Sequence, residues 1–385
     1  MILYNIKRRF TSFINGVRFY HRYKIDRCNY QKIADKQGIA LSCMEGGGKN
    51  DYLAKWKRIS KRVSELDYCI FSQYVGEDSN LVPEFVLHQV IEPIFLPEVF
   101  KGFYNDKNMY DKLLPKDYLA ESLVRCIGGI FTDGDYSVIY HIDDSYLTKI
   151  CNKCNKVIAK PTLDTGNGNS ILLWELKDVE YVPIGHSIKF SVASLTSYYK
   201  SGNFVIQKCL EQSAFTAQFN ETSVNTFRIF TYKSVQDNLP HVTRVAFRMG
   251  KKNSYIENSH GGGRFIGVNT DGSFANSFVL DADGNKYRTF NGIDFSSKVF
   301  VVPDFDRVIA FSKSVSEKIF HNRTLDLDVM IDKDGNPKLI EFNVDMCSPW
   351  LYQFSTGSVF GKYTDEVIDY IESKLENEDS TKTQA

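Results

Sequence analysis

No uninterrupted apolar run in this sequence approaches the roughly 20 residues a helix needs to cross a bilayer, so no transmembrane anchor is expected. There is no excess of charge either: Lys plus Arg is 47 and Asp plus Glu is 47. A protein that binds nucleic acid over its whole surface needs a basic excess, so nucleic acid is not an expected partner, although a local basic pocket for phosphates stays open. The opening MILYNIKRRF puts basic residues where a secretory signal would carry its apolar core. Eight cysteines scattered through 385 residues make no disulfide framework; reduced thiols in the cytosol are the expectation. Cys151-Asn-Lys-Cys154 has metal-ligand spacing, but no second pair of ligands matches it, so the two read as ordinary thiols at a helix end. There is no His-Glu-x-x-His pattern, no Gly-x-Ser-x-Gly elbow and no Walker ending.

What is present is a globular composition, 43% hydrophobic and 14% aromatic, enough for packed cores. Residues 2–24 read as a basic amphipathic helix. Ile6, Phe10, Phe13, Val17 and Tyr20 share one face, and Lys7, Arg8, Arg9, Arg18, Arg22 and Lys24 line the rest. Large aromatics on the apolar face favour docking on the body of the protein over peripheral contact with a membrane surface. Residues 50–100 look helical. From about 125 short β-like runs take over, with helices predicted over Asp144–Cys154, Ile188–Lys200 and Asp304–Phe320. This irregular alternation indicates α+β layers rather than a doubly wound parallel sheet. Glu45-Gly-Gly-Gly-Lys-Asn50 reads as a loop, and the polar tail Glu376–Ala385 is expected to fray.

The most informative segment runs from Leu325 to Asn343. Leu325, Leu327, Val329 and Ile331 alternate with Asp326, Asp328 and Met330, a strand period of two. Asp334-Gly335 favours a two-residue type I′ turn. Such a turn sets Asp328 opposite Glu341 and Asp326 opposite Asn343, all on one face. Like charges directly opposite are destabilising, and a divalent cation would remove the penalty. Hard oxygen donors of this kind suit Mg²⁺. A merely solvated acidic face is the alternative.

Upstream, Lys160 ends the apolar strand Lys156–Lys160. A turn rich in Gly, Asn and Ser, Asp164–Ser170, follows, whose backbone N–H groups could approach phosphate. Asn225 and Arg228 lie in one strand-like run, and Arg244 and Arg248 in the next. Arginine in an apolar strand needs a partner: phosphate, a substrate carboxylate, or a structural salt bridge.

The order of these parts resembles the ATP-grasp superfamily, and within it the proteins associated with sugar transfer and surface-polysaccharide biosynthesis. The residues that carry the resemblance are Asp106–Lys112, Ile158-Ala-Lys-Pro161, Gln207–Gln212, Ser223–Arg228, Arg248, Asn258 with Gly262-Gly263, and Leu339-Ile-Glu-Phe-Asn343. It covers roughly residues 85 to 360. The resemblance implies an α+β fold of two subdomains clamping ATP, over 96–206 and 207–375, after a mainly helical region 1–95 and before the tail 376–385. It implies that Lys107 and Lys160 hold phosphates, and that Gln207, Lys208, Leu210 and Glu211 line the adenine. A glutamate often stands at the Gln207 position in the family, a departure that bears on the ribose contact. Asp328, Glu341 and Asn343 would bind two Mg²⁺, with Asn225, Arg228 and Arg248 catalytic. The implied activity is a cytoplasmic ligase, with the inner face of the membrane as the alternative location, that joins a carboxylate acceptor (a small molecule or glycan) to an amine or amino acid through an acyl phosphate. A sugar or glycolipid kinase and a non-catalytic nucleotide-binding partner of glycosyltransferases are the alternatives.

Overall fold

The computed structural model describes the backbone of residues 2–39, 47–163, 170–254 and 262–384, with side chains from 19 to 377 within those spans. The glycine-rich turn at 164–169 and Asn258 lie outside the described residues.

The first of two large antiparallel sheets is six-stranded. Its strands are β1 (Ser122–Ile127), β2 (Ile130–Asp133), β3 (Lys156–Pro161), β4 (Leu172–Lys177), β5 (Glu180–Ile184) and β6 (Phe204–Lys208), in the order β2-β1-β6-β3-β4-β5. Alternation along β3 decides what each face does. Val157 and Ala159 enter a core with Leu147 and Leu195 of the helices Asp144–Cys151 and Val192–Tyr198. Ile158 and Lys160, on the other face, line a cleft. Cys151 and Cys154 are buried in the same core, where the Tyr181 hydroxyl donates to both of their carbonyls at 2.5 and 2.6 Å. Burial pushes the Cys151 thiol up to about 12, so these are structural thiols.

The second sheet holds β7 (Thr226–Lys233), β8 (Pro240–Met249), β9 (Arg264–Val268), β10 (Val279–Leu280), β11 (Lys286–Tyr287), β14 (Thr324–Ile331) and β15 (Pro337–Asn343), in the order β11-β10-β9-β8-β7-β14-β15; β12 (Thr289–Phe290) and β13 (Ile293–Asp294) form a separate ribbon. One face packs Phe227, Ile229, Phe247, Leu325, Leu327 and Val329 against Val308 and Val315 of the helix Phe305–Glu317. The opposite face is divided. Phe230, Tyr232, Ala246 and Phe265 lie under helices, while Arg228, Arg248 and Asp328 line the cleft.

Those covering helices come from both chain ends. α1 (Ile2–Gln37), α2 (Gly47–Lys57) and α3 (Glu65–Val75) open the chain. The Ser64 side chain caps α3 by accepting from Leu66 N–H, with Glu65 and Asp67 in the first turn where the helix dipole favours acids. Phe19 and Tyr23 of α1 meet the Phe85 ring edge-on at 4.6 and 5.1 Å, so α1 is docked from Phe19 onward; the side chains of Ile6, Phe10, Phe13 and Val17 are outside the described ones. Tyr30, Tyr52, Trp56 and Phe71 share one core with Val367, Ile368 and Ile371 near the C-terminus and with the second sheet. The expected break at residue 95 is therefore not a break in packing. One local expectation is corrected: Gly47 begins a helix rather than lying in a loop. The backbone of the polar tail continues the helix Thr364–Gln384.

Candidate functional site

In the acidic hairpin, Asp326 pairs with Asn343 and Asp328 with Glu341, the expected register. The expected turn is absent. Pairing nearer the tip joins Val329 to Leu339 and Ile331 to Pro337, one residue out of step. The loop is a type I-like turn with Gly335 at φ +79°, Gly335 N–H donating to Asp332 O at 3.0 Å and Asp332 N–H to Asn336 O at 2.8 Å. The register shift between Asp328 and Val329, with Ile340 as the extra residue opposite it, restores the alignment. Two departures of one residue cancel, and the carboxylates meet as the simpler turn would have placed them.

Their charges are answered by the protein. Arg228 binds Asp328 through Nε at 2.5 Å and Nη2 at 2.7 Å, and Arg248 Nη1 adds a contact at 3.0 Å. Burial would push the Asp328 carboxyl up, but the two guanidiniums outweigh it and hold it below the ordinary carboxylate value. Glu341 lies 3.1 Å from Lys107 Nζ. The opposed carboxylates thus do not by themselves require a cation, which corrects that part of the sequence argument. Asp326 is fully buried and accepts from Ser348 N–H at 3.0 Å, from the Tyr352 hydroxyl and from Arg228 Nη1 at 3.4 Å; it supports the site from beneath.

Lys107 sits on a short turn, Lys107–Met109, capped by the Asp106 side chain. Lys107 N–H donates to Thr162 O at 3.1 Å and Asn108 Nδ2 to Thr162 Oγ1 at 3.0 Å, which ties the turn to the end of β3. From there Lys107 reaches Glu341 on the other sheet. Lys160 Nζ points across to Ile340 O at 3.5 Å. Burial and the nearby Lys107 ammonium bring Lys160 down to about 8.

The two sheets join through Cys209–Glu211. Gln207 is nearly buried, its amide donating to Ser122 Oγ at 3.1 Å and Ala120 O at 3.3 Å. Lys208 and Glu211 are exposed and Leu210 half-exposed. Glu211 Oε2 meets Lys333 Nζ at 3.0 Å on the hairpin tip. Gln207, Lys208, Leu210 and Glu211 all line a cleft of about 2020 Å³, together with Lys107, Lys160, Arg228, Arg248, Asp328, Glu341 and Asn343.

One expected site residue does not reach it. Asn225 is fully buried and absent from the cleft wall; its Nδ2 donates to Gln212 Oε1, Thr216 O and Asn220 O at 2.8–3.0 Å. It is a structural amide. Sequence reasoning also missed Tyr352, Ser348 and Glu92, which secure the end of the metal-type strand. An acid directly after the apolar pair Val90-Ile91 and before Pro93-Ile94 was the available signal for Glu92, since a buried carboxylate needs partners.

The cleft thus lies between two antiparallel sheets, with Lys107 and Lys160 on one side and, on the other, the acidic hairpin with Arg228 and Arg248. Residues 98–367 match the family model of the sugar-transfer associated ATP-grasp proteins, and the chain belongs to that family and has its α+β fold. No curated protein sequence matches it. Among solved structures it is similar to the ATP-grasp ligase PsnB, solved with a phosphomimetic variant of a minimal precursor, Mg and ADP (10% identity, 70% of this chain and 59% of that one, TM-score 0.39). It is also similar to the D-cycloserine synthetase DcsG (12%, 73% and 73%, 0.41) and to a D-alanine–D-alanine ligase from Bacillus anthracis (13%, 72% and 70%, 0.37). The chain spans less than two thirds of the PsnB chain. Among the described residues no helix is long and apolar enough to cross a membrane.

Two of the expected donors, Glu341 and Asn343, are placed for a hard divalent cation; Asp328 is 4% exposed with both oxygens held by Arg228 and Arg248, so it would join them by giving up a guanidinium contact. Asn343 Nδ2 donates to Asp326 O at 3.2 Å, which commits the nitrogen and leaves Oδ1 for a ligand. Glu341 is 27% exposed, open enough to take one. Among the described residues no cluster of three or more His, Cys, Asp or Glu forms a metal cage, so a cation held by this hairpin would need further ligands from water and phosphate, the arrangement Mg²⁺ commonly adopts.

Proposed function

We propose that this chain is an ATP-dependent carboxylate–amine ligase that joins an amino acid or amine to a sugar acid in capsule or O-antigen synthesis. The observation that carries the reading is the cation-rich cleft, in which Lys107 and Lys160 lie against the Asp328–Glu341–Asn343 hairpin. In this reading the lysines hold the polyphosphate, and Lys208, Leu210 and Glu211 flank the base. Gln207, tied to Ser122, shapes the pocket floor. Asp328, Glu341 and Asn343 would hold Mg²⁺, which would supply charge neutralisation at the phosphates; two ions are the number proposed.

An acceptor carboxylate oxygen attacks the γ-phosphorus. The new O–P bond forms as the bond to ADP breaks. The amine then attacks the acyl carbon, phosphate leaves with the electron pair, and the amine proton passes to solvent. Arg228 and Arg248 steady the negative charge that develops, so the chemistry needs alignment and electrostatics rather than a protein nucleophile. The family's association with sugar transfer supports this setting.

The test is mass spectrometry of products after incubation with Mg-ATP, mixed amino acids and candidate sugar acids. A ligase yields ADP, free phosphate and a condensed product. Phosphate retained on a product would instead mark a kinase. Glu341→Gln should lower product formation by about 10²-fold or more; wild-type turnover in that variant would refute the metal assignment.

A further inference from the structure

One buried carboxylate outside the cleft has no part in the reaction above. Glu92 is 1% exposed and directly follows a single π-helical turn, Leu87–Ile91, in the region preceding the family match. Such turns often mark functional positions. Its oxygens accept from the main-chain N–H groups of Met346 at 2.9 Å and Cys347 at 3.0 Å. His88, on the same π turn, lies with Nε2 2.7 Å from Cys347 O; a carbonyl only accepts, so that nitrogen carries the proton. Three contacts therefore grip one dipeptide.

The grip has something to hold. Met346 has φ +53°, a left-handed backbone that costs an L side chain roughly 1–2 kcal/mol. Yet its side chain is 48% exposed and lines the cleft, so apolar packing does not keep it there. Two residues on, Ser348 N–H donates to Asp326 Oδ2 at 3.0 Å. Asp326 in turn takes Arg228 Nη1 at 3.4 Å, while Arg228 Nε holds Asp328 at 2.5 Å.

We propose that Glu92 is a positioning residue for the metal site: by pinning Met346 and Cys347 it fixes Ser348 and Asp326, and so sets how the Arg228 guanidinium is shared between Asp326 and Asp328. The proposal rests on the reading that Asp328 is a Mg²⁺ ligand. It gives the helical N-terminal region a task in the site that it does not line.

The test uses the purified full chain with ADP and Mg²⁺ as probes. Glu92→Gln keeps one acceptor but sets an NH₂ against a main-chain N–H. Hydrogen exchange at residues 346–348, measured without nucleotide, should speed up. The Mg²⁺ concentration that half-enhances ADP binding should rise about tenfold, in the range for residues that orient metal ligands. ADP affinity without metal should stay within about twofold, because Lys107 and Lys160 are not in this chain of contacts. Adding Met346→Gly should recover much of the Mg²⁺ response, since glycine takes φ +53° without being held. Loss of packing alone would give no such recovery. If Glu92→Gln does not fold, His88→Ala removes the contact to Cys347 O, together with the His88–Glu84 approach at 4.0 Å, while leaving both Glu92 contacts in place, and should shift both readouts in the same direction. Unchanged exchange, or faster exchange with an unaltered Mg²⁺ response, overturns the proposal. A wild-type chain whose ADP binding ignores Mg²⁺ overturns the metal reading itself, while the exchange data still decide whether Glu92 holds the loop.

Discussion

Burial and the Lys107 ammonium bring Lys160 down to about 8, so its proton is the one a ligand can most readily command. Bound phosphates favour the charged form, and binding above pH 8 must draw a proton from solvent. Titration calorimetry in buffers of different ionisation heat should show proton uptake on Mg-ATP binding at pH 8.5, little at pH 6.5, and none in Lys160→Met. Binding with no uptake at pH 8.5 would place the phosphates elsewhere. For the free chain the sign is separate: burying the charged lysine costs stability at neutral pH, and that cost is relieved as pH rises from about 8 towards the unfolded value of 10.5. Arg228 was legible in the sequence because an arginine inside an apolar strand is costly without a partner, and Asp328 and Asp326 are its partners here; Lys160 was singled out by the family resemblance. Asn225 was misread because an amide buried among carbonyls and an amide facing a ligand are spelled alike.

The hairpin β14–β15 shows where legibility ends at the scale of elements. Period-two alternation and the Asp-Gly pair announced two strands and a turn. The bulge at Ile340 has no sequence signature, since any residue can be the extra one. Its position suggests a use: the Ile340 carbonyl faces Lys160, and bulges re-aim the residues that follow. Deleting Ile340 leaves Leu339 opposite Val329 and Glu341 opposite Asp328, so core and cleft faces stay in register. The deletion should therefore fold, with a melting temperature within a few degrees of wild type. It should also weaken Mg-ATP binding by about tenfold, some 1.4 kcal/mol, as the Glu341–Asn343 end straightens. Full affinity in a folded deletion variant would leave the bulge without a role in the site.

Across the whole molecule, short β-like runs were visible in the sequence, and the resemblance implied two α+β subdomains, but neither indicated that helices from both chain ends would share a core with the second sheet. Contacts between residues some 300 positions apart leave no local pattern. That shared core contains acids with consequences for global stability. Burial raises Asp67 to about 7, although it accepts Glu84 N–H at 3.1 Å. His88 is also raised: burial would lower it, but Glu92 and Glu84 prevail. A group raised on folding lends stability at low pH and loses it as pH climbs to the folded value. For Asp67 the window is 3.8 to about 7, at up to about 1.4 kcal/mol per pH unit. Urea midpoints should fall between pH 5 and pH 8, and Asp67→Asn should flatten the slope; an unchanged slope would mean Asp67 is ionised throughout. The linker carries a consequence of a mechanical kind. Ser213 N–H bonds Ile331 O, Lys333 N–H bonds Glu211 O, Gln212 bridges Asp332, and Glu211 salt-bridges Lys333. The linker is thus riveted to the hairpin tip. Any movement of the first sheet against the second would load the strands that carry Asp328 and Glu341, coupling the width of the cleft to the spacing of those two carboxylates.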